Sequence, residues 1–118
     1  MNVHAKPLQA YPAHAVSELI SRQPAGYSLA RDLYVSEAAF AHDIARIFRR
    51  HWLLAGHASS APNPGDYFLF EMAQDSIIVM RGRDGELRAF ANVCRHRGSR
   101  LCSKAEGHAS VLVCPYHA

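Results

Sequence analysis

Two cysteines and two histidines near the end of the chain form two close pairs. One residue separates Cys94 from His96, two separate Cys114 from His117, and 17 lie between the pairs. Each short loop can therefore present two donors at little cost in chain entropy, while the spacer lets the loops meet from separate strands. Thiolates and imidazoles in this pattern can hold a two-iron cluster, with two thiolates on one iron and two imidazoles on the other, or a structural zinc ion.

Two local features favour iron over zinc. The second pair has the Cys-Pro-x-His form found in Rieske proteins, and Gly98 follows the first pair where we expect the backbone to pass close to a cluster. Imidazoles leave such a cluster less negative than four thiolates would, so it accepts an electron more readily. Rieske potentials lie between roughly −150 and +300 mV, against about −400 mV for all-Cys plant-type clusters.

Short strand-like segments lead to these pairs. Apolar or aromatic runs predict strands at 51–55, 67–72, 76–80 and 87–93, and a β-branched run predicts another at 111–113. Asp84-Gly85 predicts a type I′ hairpin turn, in which both central residues have positive φ. Each ligand pair then follows a strand, so we expect the ligands on loops at one end of a small antiparallel sheet.

The first half of the chain is different in character. Residues 1–28 hold three prolines around a short helical pattern, which predicts a loosely held arm. Apolar residues then recur at helical spacing (Phe40, Ile44, Ile47 and Phe48), behind Ser36 as a predicted N-cap. We therefore expect an N-terminal arm at 1–35, an amphipathic helix at 36–52 that packs against the β domain, and an iron–sulfur domain at 53–118.

Composition excludes several classes of protein. With 118 residues, 49% of them hydrophobic and 19% charged, the chain fits an ordinary globular domain. A net charge of +3 is too weak to indicate nucleic-acid binding. The chain has three cysteines, an odd number, and no apolar run near the roughly 20 residues of a membrane span. We therefore expect a cytoplasmic protein that binds neither membrane nor nucleic acid.

Two further features have competing interpretations. Cys102 could be a redox thiol, but a small buried core residue is the favoured interpretation. Four basic residues surround the first ligand loop, where they could dock an acidic partner or form a solvated loop, and these two interpretations have equal weight. The four are Arg95, Arg97, Arg100 and Lys104.

Beyond the ligands, residues 92–102 and 113–118 closely resemble the Rieske segment of ring-hydroxylating oxygenase α subunits, the terminal components of Rieske non-haem iron oxygenases. The resemblance extends over about residues 27–118. It implies a mostly β fold, namely a Rieske-type antiparallel β-sandwich, incomplete at its C-terminal end and preceded by an N-terminal helical arm. It also implies that Cys94 and Cys114 ligate the inner iron of a [2Fe–2S] cluster, and His96 and His117 the outer one.

The same resemblance implies a potential at the lower end of the Rieske range. Respiratory Rieske proteins carry a cysteine in each cluster loop and join the two in a disulfide. Here Ser99 and Tyr116 stand at those positions, so this bond cannot form. Fewer constraints and fewer hydrogen bonds to the sulfurs would lower the potential.

An oxygenase resemblance further implies a particular electron path. A flavin or iron–sulfur reductase would supply electrons from NAD(P)H, and a mononuclear Fe(II) in a further domain would use them to hydroxylate or demethylate a small molecule bound outside this chain. The intact protein would then be a Rieske-type mono- or dioxygenase, assembled as a homotrimer, whereas this chain alone carries electrons and has no catalytic residue. Residues 94–102 are most like α subunits that act on betaines. The alternatives are a stand-alone Rieske ferredoxin and a zinc-stabilised binding module.

Overall fold

A computed structural model describes residues 10–117, which fall into two compact units that divide between Leu53 and Leu54. Residues 1–9 of the predicted arm and Ala118 of the predicted iron–sulfur domain lie outside the described part. Within that part, no helix is long and apolar enough to cross a membrane.

The first unit is helical. It contains α1 (Ala13–Ser21), α2 (Asp32–Val35) and α3 (Glu37–Asp43), which continues into a π-helical turn at Ile44–Phe48. The predicted N-cap is confirmed, since the Ser36 hydroxyl accepts a hydrogen bond from the Ala39 N–H at 3.0 Å. In the π-helical turn the Arg49 N–H bonds to the Ile44 carbonyl, five residues back.

The segment before α3 is fastened to that helix, whereas the sequence predicts a loose arm. The Tyr11 N–H donates to the Ala38 carbonyl at 3.2 Å, and the His42 imidazole bonds to the Tyr11 carbonyl at 3.1 Å. Of the predicted apolar stripe, only Ile44 is buried, and Phe40, Ile47 and Phe48 remain 40–49% exposed.

The second unit contains a four-stranded antiparallel sheet with strand order β3-β2-β1-β4. Its strands are β1 (Asp66–Met72), β2 (Asp75–Arg81), β3 (Leu87–Ala91) and β4 (Glu106–His108). Pairing sets Tyr67 opposite Met80 and Ile78 opposite Phe90. The prediction of a mostly β, antiparallel fold is confirmed. The described residues form one open sheet, and the second sheet of the predicted sandwich is not among residues 10–117.

The predicted strands at 67–72, 76–80 and 87–93 are confirmed within two residues at each end, but two other strand predictions are wrong. Residues 51–55 and 111–113 are not in strands, and Trp52 and Leu54 are almost fully exposed. The fourth strand is Glu106–His108 instead, a segment without strong β propensity. It is a strand because β1 supplies its hydrogen-bonding partners, with Tyr67 opposite Gly107.

The hairpin between β2 and β3 forms at the predicted place, but its turn type differs. Among described non-glycine residues only Ala73 has a positive φ, so Asp84 does not meet the type I′ requirement. The Gly82 carbonyl accepts from the Gly85 N–H at 3.0 Å, and Gly85 follows at φ +83°. This is the longer turn in which a glycine in the left-handed region closes the loop.

A small core lies on one face of the sheet. Ile78 is fully buried, with Tyr67 and Cys102 beside it. The prediction that Cys102 is a buried core residue is thus confirmed. Burial raises the pKa of the Tyr67 phenol, and the neighbouring Cys102 thiol raises it further. Half-buried side chains surround these three, namely Leu69, Met80, Leu101, Ala109 and Leu112.

Candidate metal centre

The two predicted ligand pairs lie on two loops of the second unit. Cys94 and His96 follow the end of β3 closely, as predicted. Cys114 and His117 do not directly follow a strand, because residues 109–113 after β4 are irregular. We call residues 94–100 the first ligand loop and residues 113–117 the second ligand loop.

The loops bring donors of the same kind together. The His96 and His117 ring centroids are 4.9 Å apart, with their planes tilted by 45°. The Cys94 and Cys114 side chains are within hydrogen-bonding reach of each other. Both cysteines are half-buried and both histidines are exposed. The centre therefore has a sheltered thiol side and a solvent-facing imidazole side.

An apolar groove borders the thiol side. It has a volume of about 600 Å³, and its lining includes Phe90, Val93 and Leu112 together with Cys94 and Cys114. The polarity and solvent exposure around the sulfur ligands are among the factors that set the potential of an iron–sulfur centre.

The arrangement of the donors fits a two-iron cluster, because thiol lies beside thiol and imidazole beside imidazole. In such a cluster two thiolates hold one iron and two imidazoles hold the other. A structural zinc ion takes the same types of donor, but places all four around one point.

Hydrogen bonds at the second ligand loop favour the thiolate form of Cys114. The backbone N–H of Tyr116 is the main cause that lowers the pKa of this thiol. The Cys94 side chain, the His117 N–H and the Ser99 hydroxyl lower it further, against the opposing effect of burial. Since the thiolate is the form that binds metal, these donors would favour metal binding at Cys114.

The first ligand loop is closed by its own backbone. The Cys94 N–H donates to the Ser99 carbonyl at 2.7 Å, and the Gly98 N–H donates to the Cys94 carbonyl at 2.9 Å. Gly98 has φ +70°, with no protein atom within 4 Å of the position that a Cβ would take. The conformation itself thus requires glycine here.

The structure separates the four basic residues predicted near this loop. Arg95, Arg97 and Lys104 are exposed. Arg100 is held by its neighbours, because its guanidinium bonds to Glu71, to the Ser76 hydroxyl and to the Cys102 carbonyl. Arg100 is exposed too, but these contacts hold its guanidinium against the β1–β2 hairpin and the end of the first ligand loop.

Sequence reasoning missed the residue that joins the two ends of this loop. Asn92 is the only buried polar side chain among the described residues, at 5% exposure. In the sequence it stands at the end of a predicted strand, at the start of the Rieske-like segment and two residues before the first proposed ligand.

Comparison with known proteins agrees with this geometry. The Rieske [2Fe-2S] domain family matches residues 51–118, and the chain belongs to this family. The cofactor of the family is thus a [2Fe–2S] cluster, for which the paired donors described above are a fitting ligand set.

Relatives of known function are oxygenase subunits. The glycine betaine monooxygenase oxygenase subunit of Chromohalobacter salexigens is 40% identical over 103 residues, which are 87% of this chain and 23% of that subunit. The large oxygenase component of the naphthalene 1,2-dioxygenase system of Pseudomonas putida is 46% identical over 92 residues, 78% of this chain and 20% of that component. The predicted resemblance to Rieske oxygenases is confirmed.

A solved structure extends the likeness to the fold. Naphthalene 1,2-dioxygenase from Rhodococcus sp., bound to indole, matches with a TM-score of 0.77 and 29% identity, over 88% of this chain and 24% of that one. The chain therefore spans about a quarter of the length of the proteins it is similar to.

Proposed function

We propose that Cys94 and Cys114 hold the inner iron of a Rieske [2Fe–2S] cluster, that His96 and His117 hold the outer iron, and that this chain is the electron-transfer part of an oxygenase terminal component. One observation carries the proposal, namely that the two loops pair thiol with thiol on the sheltered side and imidazole with imidazole on the exposed side. When bound, such a cluster takes up and releases one electron at a time.

Each part of the chain has a role in that activity. The exposed rings of His96 and His117 form the edge at which an electron partner can approach. The two half-buried cysteines line the apolar groove and are less exposed to solvent than the two histidines. The backbone donors at Cys114 stabilise its negative charge.

For the whole protein we propose a Rieske mono- or dioxygenase. A flavin or iron–sulfur reductase supplies electrons from NAD(P)H, and a mononuclear Fe(II) outside this chain is the site of hydroxylation or demethylation. The names of the relatives support this, because they are oxygenase subunits of mono- and dioxygenases. We further propose assembly as a homotrimer and residence in the cytoplasm, whose reducing conditions suit free thiols. A stand-alone ferredoxin is not favoured, since the relatives named above are oxygenase components.

The reductase, in this proposal, docks at the exposed cations beside the first ligand loop. Arg95, Arg97 and Lys104 are exposed next to an exposed ligand, so an acidic patch on the partner would bring it close to His96. We expect Arg97→Ala to slow reduction by the reductase at low salt and to weaken the salt dependence of that rate. The control is Arg83→Ala, which removes an exposed arginine from the β2–β3 hairpin.

Electron paramagnetic resonance of the intact, reduced protein tests the ligand assignment. The unmodified protein should give a Rieske signal, and zinc would give none. Replacing an outer ligand, as in His96→Cys, should change the signal and lower the potential toward the roughly −400 mV of all-Cys clusters. His51→Cys, at an exposed histidine outside the loops, is the control and should change neither. An unchanged signal in His96→Cys would reject the assignment.

A further inference from the structure

Asn92 is a buried side chain with all of its hydrogen-bonding capacity in use. Its amide oxygen accepts from the Cys102 N–H at 2.8 Å and from the Leu101 N–H at 3.1 Å. Its amide nitrogen donates to the Cys102 carbonyl at 2.8 Å and to the Ser76 hydroxyl at 3.0 Å. A side-chain amide has two donors and an acceptor with two lone pairs, so this one is fully satisfied.

These bonds join the two ends of the first ligand loop. Asn92 precedes Cys94 by two residues, and the segment it grips, Leu101 and Cys102, directly follows residue 100 at the end of the loop. Its own N–H bonds to the Ser76 carbonyl at 2.8 Å, which extends the β2–β3 pairing up to the loop. The ligand loop therefore begins and ends at one fixed point on the sheet.

A second set of contacts fastens the loop to the β1–β2 hairpin. The Ser76 hydroxyl, which accepts from Asn92, donates to the Glu71 carboxylate at 3.0 Å. The Arg100 guanidinium, from the end of the loop, bonds to the same carboxylate and donates to the Ser76 hydroxyl at 2.9 Å. Asn92, Ser76, Glu71 and Arg100 thus form one connected network, which we call the loop clasp.

We propose that Asn92 is a positioning residue for the cluster, and that through the loop clasp it holds the first ligand loop in its metal-binding shape. The proposal rests on the assignment of Cys94 and His96 as ligands. It follows from burial and connectivity: a satisfied buried amide is costly to disturb, and its partners are the backbone groups that close the loop. Residues that hydrogen-bond directly to metal ligands change metal affinity about 10–100-fold when they are mutated. Asn92 acts through the backbone that ends the loop, so we expect an effect at the lower end of that range.

The test uses the intact protein and the nearly isosteric variant Asn92→Asp. A carboxylate keeps the acceptors for Leu101 and Cys102 but has no N–H for the Cys102 carbonyl or Ser76. We expect the cluster to lose iron to a chelator about tenfold faster than in the unmodified protein, and the paramagnetic resonance signal to broaden or shift. Gln74→Glu, the same chemical change at an exposed residue, is the matched control and should change neither.

A purely structural role would give a different result. In that case Asn92→Asp would lower the thermal midpoint, measured by circular dichroism, while each folded molecule kept the normal signal and the normal rate of iron loss. This outcome, or identical behaviour of Asn92→Asp and Gln74→Glu, would overturn the proposal.

If Asn92→Asp does not fold, the variant Ser76→Ala tests the proposal instead. This variant removes one of the four side-chain bonds of Asn92 and leaves the amide in place. We expect faster iron loss in the same direction but by a smaller factor, and a normal rate would overturn the proposal. If the unmodified protein gave no Rieske signal, the ligand assignment and this inference would both fail. A normal signal there, with unaltered variants, would reject this inference alone.

Discussion

The two ligand loops are held in place by different means. The first ligand loop is closed by bonds between Cys94, Gly98 and Ser99 and is fastened to the sheet through the loop clasp. For the second, the last backbone bond to the sheet among described residues comes from Ala109 to the Gly65 carbonyl, at 2.8 Å. Beyond it, Leu112 packs against the core, and the N–H groups of Tyr116 and His117 turn toward Cys114.

Among residues 10–117, the first ligand loop thus has fastenings that do not depend on a metal, and we expect the proposed ligand bonds to contribute more to the order of the second loop. Ordering a residue costs roughly 1–2 kcal/mol of conformational free energy. In the first ligand loop, internal hydrogen bonds already offset this cost. For the second, we expect the proposed ligand bonds to supply part of it, because metal binding and folding are coupled wherever a site is not preformed.

The largest expected effect is loss of a ligand, which should be equally severe in either loop. Cys114→Ala should leave the intact protein without the visible absorption of the cluster. The loss should be as complete as for a ligand in the first loop, even though the second loop has fewer other contacts to hold it. Cys102→Ala, at the buried cysteine that we do not assign as a ligand, should keep the cluster and lower the free energy of unfolding by about 1 kcal/mol. Absorption spectra measure whether each variant keeps the cluster, and chemical denaturation measures the free energy of unfolding. A cluster that persists in Cys114→Ala would contradict the ligand assignment.

Amide hydrogen exchange measures the contrast directly. After the cluster is removed from the intact protein, the amides of Cys94, Gly98 and Cys102 should stay protected, because each is hydrogen-bonded within or beside the first loop. The amides of Tyr116 and His117 should exchange at least about tenfold faster. Cluster binding should reduce this difference in exchange rate between the two loops. Equal exchange in the two loops of the apoprotein would contradict this contrast, whether both loops were protected or neither was.

A pair of glycine substitutions separates stability from positioning. Gly98 and Gly85 both have positive φ, and both have open space where a Cβ would be. Alanine at either should lower the free energy of unfolding by about 1–2 kcal/mol, the cost of a left-handed residue. Only Gly98→Ala, in the first ligand loop, should also speed loss of iron to a chelator. The same iron loss in Gly85→Ala would mean that general stability, and not loop shape, governs retention.

The smallest expected effect is on the stability of the protein at acid pH, and it comes from the contact between His108 in β4 and Asp66 in β1. The side-chain bond from His108 is the main cause that lowers the pKa of Asp66 below its ordinary 3.8, and the Asn63 N–H lowers it further. Because the folded-state pKa is the lower one, the resulting stabilisation is present above pH 3.8 and is lost as the pH falls through the folded-state value.

His108→Ala removes the main cause of this shift, so the pKa of Asp66 should rise toward its ordinary value. As the pH is lowered, the free energy of unfolding of the variant should therefore begin to fall at a higher pH than that of the unmodified protein. The thermal midpoint as a function of pH and the carboxyl NMR titration of Asp66 measure the two effects. His57→Ala, at an exposed histidine whose imidazole bonds to Ser59, is the control and should leave the Asp66 titration unchanged.

The features that the sequence alone could predict each depend on a short segment of the chain. The N-cap at Ser36 was predicted from its place before a helical pattern, and β1 to β3 from apolar runs. The proposed ligand pairs likewise rest on residue type and spacing within each loop. These features depend on neighbours a few residues apart, which the sequence shows directly. For the same reason the hairpin was located correctly but its turn type was not, since the backbone angles of Asp84 also depend on how β2 and β3 pair.

Only the tertiary structure decided which distant residues meet. Arg100 is bound to a carboxylate 29 residues away, at Glu71, and His108 to one 42 residues away, at Asp66. Glu106–His108 became a strand because β1 lies beside it, and the burial of Asn92 was set by the segments that close over it. Hydrogen-bond partners and burial are properties of the folded arrangement, and local propensity carries little information about either.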